Sequence, residues 1–266
     1  MFRKVLVGTD GSDSATIAVA HAIELARQVD GEVTVLSVFA PPRPDAPEVI
    51  SSRHGDPTAD IAAAVLRDVD KRFQGKGKFA TRAEEGNAAE TLLDIAEDED
   101  FDVIVVGNRG MSGASRLMLG NVPNKVSHHA PTSILIVDTV DAQEPGYRKM
   151  VVGTDGSSTA AKAVASAVEL AEKAGAELHV VTVASSEGDA DRVLAKVRDQ
   201  YPDVKTKALV GEPAEAMVEY AKGEGIELVI VGNKGMTGAR RFLLGSVPDK
   251  VSHHANQSVL ILNTTG

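Results

Sequence analysis

Short apolar runs alternate with stretches of helical spacing along the whole chain. Phe2 to Thr9 is an apolar run closing in Gly-Thr-Asp-Gly-Ser, the pattern of a strand entering a turn. From Ala15 to Val29 the apolar residues Ile17, Ala18, Ala22, Leu25, Ala26 and Val29 recur at helical spacing, and Asp30-Gly31 ends the run. Val33 to Phe39 predicts a second strand, Asp60 to Phe73 a helix and Lys78 to Glu84 a weaker strand. Ala88 to Glu97 predicts a helix, and Phe101 to Val106 a strand apolar on both faces. A loop and a fourth helix follow, then a fifth strand from Ser133 to Val137. Between the second strand and its helix, Ala40 to Pro57 carries Pro41, Pro42, Pro44, Pro47 and Pro57, which predicts an irregular loop. Alternation of continuous apolar strands with helices implies a parallel sheet with helices on both faces.

The pattern then repeats. Lys4 to Ser12 returns as Lys149 to Ser157, an offset of 145, and Val103 to Ala130 returns as Leu228 to Ala255, an offset of 125. The longer offset still holds at Val38 and Val183 and has given way to the shorter one by Gly86 and Gly211. About twenty residues are therefore missing from the second copy, in the loop and helix after its second strand. There Leu178 to Val183 leads through Ser185, Ser186 and Gly188 directly into a helix from Ala190 to Arg198. Repeats of this length are tandem domains rather than solenoid units. The acidic stretch from Asp138 to Tyr147, with Pro145 and Gly146, reads as the join. The expected organisation is a first domain at residues 1–138, a linker at 139–147 and a second, shortened domain at 148–266.

Composition narrows the class. Of the 266 residues only 3% are aromatic, so the cores must be built from Val, Ile, Leu and Ala. A net charge of −10 argues against general affinity for nucleic acid or anionic membranes. The absence of cysteine excludes disulfides and thiolate zinc sites. No secretory pattern follows Met1 and no apolar run is of spanning length, so a soluble, cytoplasmic protein is expected.

The candidate chemistry lies in the longer repeat. In each copy an apolar strand ends in two glycines with two residues between them, Gly107 and Gly110, then Gly232 and Gly235. A third glycine follows after nine more residues, Gly120 and Gly245. Glycines let backbone N–H groups approach an oxyanion, and a helix start beyond them adds unpaired N–H groups and partial positive charge. Ser246 predicts the helix N-cap, with Pro248 in the first turn and Asp249 three residues on; Asn121 is its counterpart and caps equally well. Gly107 to Val137 contains no acid but carries Arg109, Arg116 and Lys125, and Gly232 to Pro248 contains none but carries Lys234, Arg240 and Arg241. These basic islands in an acidic chain lie where open parallel sheets collect ligands, at the carboxyl ends of strands. Thr9-Asp10 and Thr154-Asp155 end the first strands at the same edge, and each Asp either forms a local turn with the following Gly-Ser or contacts a ligand. Neither the dinucleotide fingerprint nor the P-loop occurs, and Gly75-Lys76-Gly77-Lys78 reads as a turn. Met111 and Met236 lie inside the loops, where they touch a base or simply pack. The pairs His128-His129 and His253-His254 sit near helix C-termini, where a structural role is expected rather than a metal, since adjacent helix residues do not share a face.

The spacing G-x2-G-x9-G-[ST] after an apolar strand, with an early V-G-T-D-G-S, resembles the universal stress protein family over nearly the whole chain, in a tandem form. The resemblance implies two tandem open-sheet α/β domains, each a five-stranded parallel sheet in the order 3-2-1-4-5 with helices on both faces. It implies ATP, with or without Mg2+, with adenine near the ends of the first two strands and phosphates in the glycine loop. Carried over by motif, the first site comprises Thr9, Asp10, Val38, Gly107, Arg109, Gly110, Gly120, Asn121 and Val122. The second comprises Thr154, Asp155, Val183, Gly232, Lys234, Gly235, Gly245, Ser246 and Val247. Two departures make the sites unequal: Asn121 stands where the family pattern has Ser or Thr, and the second domain lacks the proline-rich loop. The last strands, Ser133 to Val137 and Ser258 to Leu262, are expected to pair between the domains across a pseudo-twofold axis, an internal version of the family's dimer. Association with protein partners is also expected, and whether the tandem chain forms a homodimer beyond its internal pairing is left open by the sequence. No catalytic triad or base–nucleophile pair is evident, so the chain is expected to bind nucleotide and regulate rather than catalyse. The alternatives are a slow ATPase or autophosphorylating enzyme with Ser12, Ser112, Ser157 or Thr237 as acceptor, a module for AMP or cyclic AMP, and a protein-interaction role without nucleotide.

Overall fold

The structure is a computed structural model that describes residues 2–40, 57–108, 119–140, 145–233 and 244–264. The first half runs β1 (Lys4–Gly8), α1 (Asp13–Gln28), β2 (Glu32–Phe39), α2 (Pro57–Phe73), β3 (Phe79–Glu85), α3 (Ala88–Asp98), β4 (Val103–Gly107), α4 (Asn121–His129) and β5 (Ser133–Val137). The second runs β6 (Lys149–Gly153), α5 (Ser158–Ala174), β7 (Glu177–Ala184), α6 (Glu187–Gln200), β8 (Lys205–Val210), α7 (Pro213–Gly223), β9 (Leu228–Gly232), α8 (Ser246–His254) and β10 (Ser258–Leu262). The α2 helix begins at Pro57, three residues before the start that periodicity suggests, because proline suits a first helical turn. Most of the proline-rich segment, residues 41–56, lies outside the described residues.

The strands form one sheet rather than the expected two. Its ten strands lie in the order β3-β2-β1-β4-β5-β10-β9-β6-β7-β8. Each half keeps the order 3-2-1-4-5, all parallel. The two fifth strands join antiparallel, pairing Leu260 with Leu135, Val259 with Ile136 and Ile261 with Ile134. The strands that end each repeat are therefore the middle of the sheet, not its edges. The burial pattern follows from this position. The β4, β5 and β10 strands are buried at every residue, as strands covered on both faces must be. The edge strands β3 and β8 alternate exposed and partly buried residues and carry charges that discourage further pairing.

Alternate strand residues feed two cores. Val5, Val7, Val103, Val105, Leu135 and Leu260 point into a core under α1, α2, α5 and α6. Leu6, Ile104, Val106, Ile134, Ile136 and Val259 point into the opposite core under α3, α4, α7 and α8. Both cores run unbroken across the junction. Reciprocal bonds seal its two ends: the Asp138 backbone N–H donates to Ser258 Oγ at 3.0 Å, and that of Asn263 to Ser133 Oγ at 3.1 Å. The expected linker is not simply a spacer, since Tyr147 is buried and packs against His21 of α1.

One polar network in the second half has a measurable signature. The Glu177 carboxylate accepts from Lys205 Nζ at 2.7 Å and from His179 Nε2 at 2.8 Å. The other ring nitrogen of this buried histidine meets the Tyr220 hydroxyl at 2.7 Å. Lys205 first and His179 second pull the Glu177 carboxyl from 4.5 down to about 2. A depressed carboxylate contributes stability that is complete above its unfolded pKa and lost as pH falls through the folded one. Glu177→Gln is expected to lower the thermal midpoint above pH 4.5, with the gap to the unsubstituted protein closing as pH approaches about 2. Thermal scans of both proteins across that range check it.

Candidate functional site

The turn after β1 is a chain of local bonds. The Thr9 N–H extends the sheet by donating to Leu36 O at 2.9 Å, and Thr9 Oγ1 accepts from the Gly11 N–H at 3.3 Å. Asp10 Oδ1 accepts from the Ser12 N–H at 3.0 Å, and Ser12 Oγ caps α1 by accepting from the Ala15 N–H at 3.1 Å. Gly11 adopts φ +79°, and a Cβ there would stand 2.7 Å from Val65 of α2, so both conformation and space require glycine. The second half repeats each step with Thr154, Asp155, Gly156 and Ser157. Asp10 and Asp155 thus form Asx turns as well as standing at the strand ends.

The long glycine loop is anchored at both ends by Asn108, a residue whose role the glycine spacing did not reveal. Its N–H donates to Val137 O at 2.9 Å, and its carbonyl accepts from the Gly120 N–H at 3.1 Å. Its side chain donates to Asp138 Oδ1 at 3.0 Å and accepts from the N–H and hydroxyl of Thr139 at 3.2 and 2.7 Å. Asn233 does the same in the second half, with Leu262, Gly245, Asn263 and Thr264 as partners. The signal was present as Gly-Asn after both apolar strands, but only the fold shows the asparagine closing the loop onto the next strand.

The helix starts differ from expectation. Gly120 and Gly245, rather than Asn121 and Ser246, are the N-caps, and neither helix has a side-chain cap bond. The cause is that the glycine carbonyls already accept the first helical bonds, from Asn124 N and Asp249 N, each at 3.0 Å. Asn121 and Ser246 become the first helical residues, with exposed side chains. The first N–H groups of a helix have no partner within it, so those of Asn121 and Val122 remain at its open end. Pro123 contributes no further donor. Lys125, grouped by sequence with the basic island, is turned instead to Glu90 Oε1 of α3 at 2.7 Å.

In the first half these parts surround a cavity of about 320 Å3 at the carboxyl ends of β1, β2 and β4. Thr9, Asp10, Val38, Gly107, Gly120, Asn121 and Val122 all line it, as the motifs required. Gly8, Ala15, Leu36, Ala88, Leu92, Val106 and Pro123 line it as well. Gly8, Leu36 and Val106 belong to strands, Ala15 to α1, Pro123 to α4, and Ala88 and Leu92 to α3, whose approach cannot be read from spacing within one segment. Leu92 lies so close under β1 that a Cβ on Gly8 would stand 3.0 Å from it. The result is an apolar floor, a polar turn on one side and a helix N-terminus on the other. Arg109, Gly110, Met111, Ser112 and Arg116 lie outside the described residues, as do Lys234, Gly235, Met236, Thr237, Arg240 and Arg241. Thr154, Asp155, Val183 and Gly232 hold the matching positions at the strand ends of the second half, and Gly245, Ser246 and Val247 those at the start of α8. There α6 takes the place of α2: a Cβ on Gly156 would stand 3.2 Å from Val193. One charge breaks the equivalence. Asp249 lies in the first turn of α8, where α4 has Asn124, and it meets His128 Nε2 of α4 at 3.2 Å across the junction.

Among the described residues no helix is long and apolar enough to cross a membrane. A universal stress protein from Archaeoglobus fulgidus shares the fold over 98% of this chain and 96% of its own, with a TM-score of 0.75 at 21% identity. A universal stress protein of Mycolicibacterium smegmatis is 28% identical over an alignment 290 residues long, gaps included, that covers 97% of this chain and 96% of that one. One of Mycobacterium tuberculosis is 33% identical over 145 residues, 52% of this chain and 97% of that one. The family pattern itself matches residues 1–138, 146–196 and 184–263, nearly the whole sequence. Repeat, fold and loop geometry agree with that match, and the chain belongs to the universal stress protein family.

Proposed function

We propose that this protein binds an adenine nucleotide, ATP foremost, and that occupancy governs its association with other proteins during a stress response. The observation that carries this reading is the convergence of Thr9, Asp10, Val38, Gly107, Gly120, Asn121 and Val122 on one cavity. Val38, Leu36 and Leu92 offer a flat base an apolar surface, while Thr9 and Asp10 present oxygens at the ribose side. The N-terminus of α4 offers unpaired N–H groups and the positive end of its dipole to phosphate.

The second site is weaker in this proposal, because a carboxylate at Asp249 stands in the first turn of the helix that would face the phosphates. Binding rather than turnover is proposed, since the Ser12 and Ser157 hydroxyls are engaged as helix caps. Mass spectrometry of ligand released from purified, denatured protein is expected to find ATP. Competition by ADP and AMP is then expected to weaken stepwise as phosphates are removed. Equal affinity for AMP and ATP would oppose the phosphate assignment. Asn108→Ala removes the side-chain bonds that hold the loop's first end, and is expected to weaken ATP binding at the first site by about tenfold or more. Calorimetric titration of that variant, with circular dichroism to confirm an intact fold, checks it.

A further inference from the structure

A second cavity among the described residues lies at the opposite, amino-terminal edge of the first half's strands. It measures about 460 Å3 and opens at the seam between the halves. Its origin is a broken symmetry. The repeat places Phe2 opposite Tyr147 and Ser166 opposite His21, and it places Ser133 and Asn263 opposite Ser258 and Asp138. On the Tyr147 side the seam is filled. The His21 and Tyr147 rings lie 5.3 Å apart, tilted by 33°, and both residues are buried. Burial pushes the Tyr147 phenol above the ordinary tyrosine range.

On the Phe2 side the frame is the same, since the Asn263 N–H reaches Ser133 Oγ as Asp138 reaches Ser258 Oγ. The ring that would complete it is missing, because Ser166 on α5 replaces the histidine. The space is bounded by Phe2 and Leu262 and rimmed by Glu97, Asp100 and Asp102, with no lysine or arginine among its lining residues. Lys4 stands at the same margin: its Nζ donates to Glu99 O at 2.7 Å and lies over the ring of Phe101, which lines the cavity, and its N–H donates to Asp102 Oδ2 at 2.9 Å, so the three carboxylates outnumber one ammonium.

We propose that this seam cavity binds a small planar heterocyclic cation of the imidazolium type, seated where the second copy's counterpart histidine ring would lie. The filled side of the seam supplies the shape argument: this frame accepts an imidazole beside an aromatic ring, and Phe2 provides that ring. The three carboxylates set the sign of the charge, favouring a cation and disfavouring a nucleotide phosphate. A cationic ring beside Phe2 also gains a cation–π contribution.

The test titrates the full chain with imidazole and with histamine, following the backbone amide resonances of Phe2, Ser133, Ser166 and Asn263. Saturable shifts in the millimolar range are expected, tighter for histamine because its ammonium adds a second charge for the rim. Ser166→His should fill the space and weaken histamine binding by about tenfold or more, and Ser166→Leu does the same if the histidine variant fails to fold. His21→Ser should open the mirror cavity, lower the thermal midpoint and recover part of the loss on addition of imidazole. Shifts that never saturate, or histamine binding unchanged by both Ser166 variants, would overturn the proposal. ATP binding is expected to be unaffected in every arm, so this result stands or falls independently of the nucleotide assignment.

Discussion

Val38→Trp is expected to remove ATP binding from the first half of this protein, with a loss of about a hundredfold or more in affinity. Val38 is the penultimate residue of β2, at the wall of a cavity of about 320 Å3, and it is partly rather than fully buried. An indole there can turn into the cavity without being forced into a filled core, so it would fill the space proposed for the base while the sheet stays intact. The matched variant, Val183→Trp, sits at the same point of β7 in the second half. It is expected to leave the tighter isotherm nearly unchanged, because the site proposed to be tighter is the one without a carboxylate in its helix's first turn. Calorimetric titration of the two variants side by side checks both statements. If Val183→Trp abolished the tight isotherm and Val38→Trp did not, the ranking of the two sites would be reversed.

The largest expected effect on stability comes from Leu260→Asp at the centre of the sheet. Leu260 pairs with Leu135 across the antiparallel junction, and each residue is 1% exposed. Substitution removes a fully buried side chain from a core shared by both halves and leaves a carboxylate without a charge partner. Loss of the leucine alone costs about 2–5 kcal/mol, and the buried carboxylate adds to it. A fall in the thermal midpoint of roughly 10 °C or more is therefore expected for a chain of this size. Leu260→Ile, which keeps the volume, is expected to cost under about 1.5 kcal/mol. Differential scanning calorimetry of the pair separates a packing role from a chain-wide sensitivity to any substitution. A midpoint unchanged by Leu260→Asp would mean that the junction contributes little.

The strands legible in sequence were those whose pattern was extreme. Ser133–Val137 and Ser258–Leu262 are apolar after their first serine, and the structure has strands over the same residues. Their mutual pairing was also anticipated. What the pattern did not convey was that this pairing makes one continuous ten-stranded sheet. Periodicity reports which face of an element is covered, whereas sheet continuity depends on partners more than a hundred residues away. The helix starts were misplaced by one residue because Asn and Ser are good caps in general, while here the carbonyls of Gly120 and Gly245 close the first turns. Of the first-half motif residues that fall within the described chain, all seven line one cavity, since glycine spacing and strand ends are local features. Asn108 and Leu92 were not singled out, because one acts through Asp138 and Thr139 and the other through the docking of α3 beneath β1. Lys125 was grouped with the loop's basic residues, yet the partner that claims it, Glu90, lies on a different helix.

The central claim is that the first-half cavity is an ATP site and that the second-half counterpart is weaker. Isothermal titration calorimetry of ATP into the nucleotide-stripped, intact chain tests it most directly. The account predicts one tight binding event per chain, abolished by Val38→Trp, followed by a weaker one that Asp249→Asn strengthens. Two equal events unaffected by Asp249→Asn, or no heat of binding at millimolar ATP, would contradict it.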